Sequence, residues 1–272
     1  MKFGVITLQG VPWPELAERW QTLEELGVDT IWVADHLWGE WLQPGQPWFE
    51  AWSCLTALAH VTSRPRIGPL VSPMAFRNPA VLARTALTVA ELSGGRLELG
   101  VGSGAYNVDN ELAQVPSWTP KERAALFGPW VERLTDLLAD ERLQPKNPIP
   151  LTIAGRGPTI LRAAARFADR WNTFGGFGLS PEEALRRARN DLAQLDELCV
   201  ETSRKVRRSV LIGYPFIAET PWQSDDAFAE VVGRWEDAGF DEIVFYYPPQ
   251  TGMPEGSVTP GVFERGLSQP GK

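Results

Sequence analysis

What most constrains this chain is an alternation repeated eight times, in which a short apolar, β-branched run gives way to a segment with helical hydrophobic spacing. Strands are expected near Lys2–Leu8, Asp29–Ala34, Arg66–Val71, Arg96–Val101, Pro150–Ala154, Arg170–Phe174, Arg208–Phe216 and Asp241–Tyr247. Helices are expected between them, over Trp13–Leu26, Glu50–Thr62, Asn78–Leu92, Pro120–Leu138, Thr159–Phe167, Pro181–Thr202 and Asp225–Ala238, with a terminal one around Val262–Leu267. Strands that each return through a helix lie parallel, and eight such units close into a ring. The expected fold is therefore α/β, a single (β/α)8 TIM barrel over residues 1–247 followed by a Gly/Pro-rich tail over 248–272. The chain length of 272 residues suits that architecture, for which ~250 is typical.

Local chemistry supports the helices. Thr119-Pro120-Lys121-Glu122 and Ser180-Pro181-Glu182-Glu183 each place a hydroxyl cap, a proline at the first helical position and a glutamate three residues after the cap. Phe228, Val231, Val232 and Trp235 fall on one helical stripe, and Gly27 and Gly239 follow helices where a left-handed stop is expected.

Composition removes several function classes. Lys and Arg number 26 against 34 Asp and Glu, and a net charge of -8 argues against a protein that holds nucleic acid or an anionic membrane surface. Cys54 and Cys199 are too few for a disulfide framework or a Cys-rich zinc site and fit a reducing cytoplasm. His36 and His60 cannot form a multi-His metal centre, although a carboxylate site for a hard cation stays open, and no metal is expected in the site. Met1-Lys2 runs directly into an apolar strand, and no run approaches the ~18 apolar residues of a membrane span, so a soluble cytoplasmic protein is expected.

Barrel enzymes place their chemistry after the C-terminal ends of strands. Asp35-His36 stands there after the second strand, where a carboxylate beside an imidazole can handle protons or hydrogen-bond a heterocycle; the alternative is a strand-end histidine satisfied by backbone. Leu97-Glu98-Leu99-Gly100-Val101-Gly102-Ser103-Gly104 is a strand running into a glycine turn that admits close approach of a ligand. The same turn superficially resembles the first motif of S-adenosylmethionine-dependent methyltransferases, but the window about 20 residues on holds no second strand ending in an acid. Ala154-Gly155-Arg156-Gly157-Pro158 leads into a helix and reads either as an anion site or as a tight turn with an exposed arginine. Gly175-Gly176-Phe177-Gly178 is similarly placed after the sixth strand.

Taken in order, Asp29-Thr30-Ile31-Trp32-Val33-Ala34-Asp35-His36, then Arg77-Asn78-Pro79-Ala80, then Glu91-Leu92-Ser93-Gly94-Gly95-Arg96 and the glycine turn resemble the bacterial-luciferase-like oxidoreductases. That family consists of barrels using flavin mononucleotide (FMN) or the deazaflavin coenzyme F-420. The Asp-His pair is most like the F-420 branch. By that resemblance Asp35 contacts the coenzyme and His36 is the catalytic residue that moves a proton. Leu70 and Ser72 line the ring at a bulge that in the family often holds a non-proline cis peptide, and Ala154, Gly155, Arg156 and Gly157 take the phosphate. Gly102, Ser103 and Gly104, with Thr173 and Phe174, complete the expected coenzyme contacts. Trp38, Trp41, Ala105 and Tyr106 form the expected substrate pocket, and Ala105 stands where sugar-phosphate-oxidising members carry an acid.

The activity so implied is hydride transfer between F-420 and a small organic substrate. An FMN-dependent monooxygenase supplied with reduced flavin, and a non-catalytic flavin or deazaflavin carrier, are the alternatives. Expected partners are the substrate, a reductase that supplies reduced coenzyme, and a second copy of the chain, since helix faces that pack a barrel can also pack another subunit.

Overall fold

The computed structural model describes residues 1–39, 45–104, 107–174, 176, 178–213, 217, 219–249 and 257–268. The strands are β1 (Lys2–Thr7), β2 (Thr30–Val33), β3 (Arg66–Pro69), β4 (Ser72–Pro73), β5 (Leu99–Gly102), β6 (Leu151–Ala154), β7 (Arg170–Thr173), β8 (Arg207–Ile212) and β9 (Glu242–Tyr247). The helices are α1 (Trp13–Leu26), α2 (Ala51–Val61), α3 (Pro79–Leu92), α4 (Asn107–Leu112), α5 (Pro120–Ala139), α6 (Pro158–Phe167), α7 (Pro181–Thr202), α8 (Asp225–Asp237) and α9 (Val262–Leu267). Among these residues no helix is long and apolar enough to cross a membrane.

All strand pairs are parallel, in the order β3-β2-β1-β9-β8-β7-β6-β5-β4. The two ends of that order, β3 and β4, are consecutive in the chain, separated only by Leu70-Val71. The gap is bridged by Glu98 N–H donating to Ile67 O at 2.8 Å and Ile67 N–H donating to Arg96 O at 3.1 Å. The result is the expected barrel, with one correction: the third run, expected as a continuous strand to Val71, is two short strands around a break. A closed ring also leaves no open doubly wound sheet, so the methyltransferase reading falls.

The helix signals act as their chemistry predicts. Thr119 and Glu122 form a complete capping box on α5, Ser180 caps α7, and Gly27 ends α1 with φ of 83°. Phe228, Val231 and Trp235 are buried beneath α8. Two elements went unpredicted, α4 and a 3-10 turn over Glu141–Leu143. The last expected strand run before α8 stops at Ile212, and Tyr214–Phe216 lie outside the described residues. After β9 the chain returns through α9, where Phe263 packs on Trp222 with ring centroids 4.8 Å apart.

The main core lies between sheet and helices, around residues such as Trp20, Ile31, Leu55, Phe127, Trp171 and Trp235. Inside the barrel the two ends differ. Ile6, Trp32, Ala34, Leu70, Leu211 and Val244 form an apolar layer. Toward the strand N-termini a charged plug replaces it: Arg170 contacts Glu98 at 2.9 Å and Glu242 at 2.8 Å, and Arg66 reaches Glu98 at 3.2 Å. Thr152 donates to Glu98 and Thr30 to Glu242. Burial pushes the Glu242 carboxyl up to about 7, with Arg170 pulling the other way and Glu98 adding to the rise.

A carboxyl raised in the folded state from its ordinary 4.5 stabilises the fold fully below that value, and the contribution is lost as pH rises through about 7. Thermal midpoints measured from pH 5 to 8 should therefore fall with pH in the native chain and fall less steeply in Glu242→Gln. Parallel pH profiles for the two proteins would contradict the assignment.

Candidate active site

The strand C-termini gather the residues singled out by sequence. Gln9, just past β1, is fully buried; its amide donates to Ala34 O at 2.6 Å and accepts from Ala34 N–H at 3.1 Å, tying the ends of β1 and β2 together. Asp35 follows β2 at 1% exposure. It accepts Ser72 Oγ–H at 2.5 Å and a two-pronged contact from Arg77, through Nε at 3.0 Å and Nη2 at 2.5 Å. Arg77 reaches on to Glu50 at 2.7 Å, and although burial lowers the pKa of its guanidinium, the Asp35 pairing outweighs it and holds the group above its ordinary value. Asp35 is thus primarily an anchor for Ser72 and Arg77.

His36 is one-third exposed, with Nδ1 2.6 Å from Asp109 Oδ2. The other oxygen of Asp109 accepts Leu37 N–H at 2.7 Å, and Trp48 Nε1–H donates to His36 O at 2.7 Å. The ring is therefore held by α4 and its backbone by the loop preceding α2. Trp38 and Leu37 beside it are 42% and 39% exposed.

The break after β3 explains the glycine run. The peptide Leu70-Val71 is cis, at the position where the sequence resemblance places such a bond. A Cβ on Gly100 would stand 2.1 Å from Pro69 O, and one on Gly102 would stand 2.7 Å from Val71 Cγ2. The absence of side chains at Gly100 and Gly102 therefore makes room for the neighbouring Pro69–Val71 segment. Ser103 and Gly104 remain partly open beyond them, with Gly104 at φ of 74°. Leu70 is 9% exposed in the apolar inner layer, whereas Ser72 is fully buried, giving its proton to Asp35 and accepting Trp52 Nε1–H at 3.1 Å. Ser72 supports the Leu70 segment from behind.

Ala154 ends β6, and Gly155 and Gly157 take φ of 131° and 91° before α6. No side chain caps α6, and the space a Gly157 Cβ would occupy is open to 4 Å, leaving helix-start amides for an anion. Arg156 is turned into the fold, its Nε 2.5 Å from Asp191 Oδ2 of α7. Thr173 is buried at the end of β7 and Phe174 is half-buried against the apolar layer. Trp41, Ala105 and Tyr106 lie outside the described residues.

Sequence reasoning missed Asp109. It sits in a six-residue helix without hydrophobic periodicity, 73 positions from its partner. The available cue was the Ser103–Thr119 stretch, which follows a strand end without a clear period, in the place where barrel enzymes put function.

A family model of luciferase-like monooxygenases matches residues 1–242. The chain belongs to that family. Among named relatives in it, an F420-dependent glucose-6-phosphate dehydrogenase of Amycolatopsis mediterranei (strain U-32) is 34% identical over 186 residues, 61% of this chain and 54% of the relative. The chain thus spans about half the length of the curated relatives it matches. A solved F420-dependent secondary alcohol dehydrogenase in complex with an F420-acetone adduct superposes with a TM-score of 0.77 at 15% identity, covering 98% of this chain and 96% of that one. The coenzyme F420-dependent tetrahydromethanopterin reductase of Methanopyrus kandleri superposes with a TM-score of 0.69 at 14% identity, with the same coverage. At those identities the likeness establishes the shared barrel.

The close fit behind Leu70 is testable. Gly100→Ala should lower stability by at least ~2–3 kcal/mol, because the obstructing atom is a backbone carbonyl that cannot rotate away. Gly128→Ala in α5, where a Cβ meets nothing within 4 Å, should be neutral or stabilising by up to ~1 kcal/mol. Denaturant midpoints of the two variants should separate in that order.

Proposed function

We propose that this chain is an oxidoreductase that transfers hydride between the deazaflavin coenzyme F-420 and a small organic substrate. The observation carrying this reading is the pairing, on one rim of the barrel, of an uncapped helix start beside Gly157 with an imidazole held by the buried carboxylate of Asp109. The names of the F420-dependent relatives support it, and the residues present fit the group. The open N-terminus of α6 suits its phosphate, and Leu70 presents an apolar surface to a planar ring.

When bound, the coenzyme supplies a ring carbon that accepts or delivers two electrons as hydride. The protein then has to hold the coenzyme, keep water away from the reacting carbons and move one proton. Ala154–Gly157 and the α6 amides bind the phosphate. The Leu70 segment, backed by Ser72 and Asp35, orients the ring. His36 takes the proton from substrate in one direction of the reaction and returns it in the other. Leu37 and Trp38 offer substrate an apolar contact next to that histidine. A reductase that renews the reduced coenzyme and a second copy of the chain are the protein partners of this reading, in a soluble cytoplasmic enzyme.

Quenching of the 12 tryptophans should report saturable F-420 binding at micromolar concentration; saturation by FMN and not by F-420 would overturn the coenzyme assignment in favour of a flavin monooxygenase. Gly157→Val should weaken F-420 binding severely. His36→Ala should bind it nearly normally and lose ~10²–10⁴-fold in single-turnover hydride transfer. Full activity in a folded His36→Ala protein would remove the catalytic role.

Substrate choice should depart from that of the glucose-6-phosphate dehydrogenases. Ala105 occupies the position after the glycine turn where the sugar-phosphate-oxidising pattern has an acid, so glucose 6-phosphate should give no turnover with F-420. Robust oxidation of that sugar would refute the apolar-pocket assignment.

A further inference from the structure

We infer that Asp109 is a positioning residue that determines which nitrogen of His36 carries the ring proton, and hence which nitrogen exchanges a proton with substrate. The inference rests on the reading of His36 as the proton-handling group. Its evidence is the geometry around one buried carboxylate.

Asp109 is 2% exposed, and both of its oxygens are engaged by the same short segment. Oδ1 accepts Leu37 N–H at 2.7 Å, and Oδ2 lies 2.6 Å from His36 Nδ1. An ionised carboxylate has acceptors only, so the hydrogen in the second contact belongs to Nδ1. A neutral ring in that state has its lone pair on Nε2, leaving Nε2 as the basic nitrogen. When the ring takes a second proton, the resulting imidazolium already faces a counter-charge, and no new group has to reorganise around it.

The ring and its backbone are each held in place. The carboxylate holds the ring from α4, and Trp48 Nε1–H fixes the His36 carbonyl. The preceding residue, Asp35, is clamped by Ser72 and Arg77. A carboxylate whose sole purpose was to fasten α4 to the loop after β2 would need only the Leu37 contact. The second oxygen would then gain nothing from the particular chemistry of an imidazole.

The experiment is nitrogen NMR of the ring in the coenzyme-free protein, at a pH where the imidazole is neutral. Only His36 and His60 contribute, and His60→Gln assigns them. The native chain should show His36 protonated on Nδ1. In Asp109→Asn the side-chain amide can accept through one atom only; with its oxygen on Leu37 N–H, its NH2 group donates to Nδ1 and shifts the ring proton to Nε2. The variant should keep coenzyme affinity within about twofold and lose ~10²–10⁴-fold in single-turnover rate, the separation expected when an orienting acid is removed from a working imidazole. An Nε2-protonated ring in the native chain would overturn the inference without recourse to any variant. So would an unchanged rate in a folded Asp109→Asn protein with a reversed ring. If the chain binds no deazaflavin, the coenzyme assignment fails separately, because the ring measurement is made without it.

Discussion

The carboxylate of Asp35 is the contact on which the mouth of this barrel depends. A charge at 1% exposure is costly unless it is paired and hydrogen-bonded, and removing one partner of such a pair costs ~3–5 kcal/mol. Here both partners come from the next unit along the chain: Ser72 from β4, and Arg77 from the segment leading into α3. Arg77 extends the chain to Glu50, which accepts Ser53 N–H at the start of α2. One buried charge therefore fixes the relative positions of the second and third β/α units. The broken third strand brings Ser72 to that charge, and the missing side chains of Gly100 and Gly102 make room for the break.

The barrel was legible from sequence because its signals are local and repeated. Each strand is a short apolar run, each long helix has a cap or a stripe, and eight repetitions leave few alternative topologies. The break between Pro69 and Ser72 was not legible by the same means. Leu70 and Val71 are ordinary strand residues, and what displaces them is a glycine strand about 30 residues away pairing along the same edge. The helix α4 escaped for the opposite reason: six polar-rich residues carry neither period nor cap.

The residues of the candidate site were legible, but not which of them pair with one another. Asp35 and His36 were found as a dipeptide, yet neighbours in sequence turned out to have separate partners. Asp35 looks inward to Ser72 and Arg77, and His36 looks across to Asp109. Side chains on successive residues leaving a strand point to opposite sides, so adjacency in sequence is weak evidence for a shared task. Arg156 taught the same lesson. Its place in a glycine-flanked loop read either as part of an anion site or as an exposed arginine in a tight turn; its Nε pairs with the buried Asp191 of α7, while no side chain caps the start of α6.

In the proposed reading, these pairings limit what a substrate can meet. Asp35 and Glu50 share Arg77, Asp191 holds Arg156, and Asp109 holds His36, so the charged groups described at the rim are committed to one another. Drawing any of them toward a charged ligand would strand its present partner, at a desolvation cost that a single new contact does not recover. Among the described residues, apolar groups also stand at this mouth: Leu37 and Trp38 beside the histidine, and Leu70 along the inner layer. In the proposed reading, recognition at this mouth would run through shape and apolar contact around one imidazole, and selectivity among substrates would be set by how closely a reacting carbon packs against it.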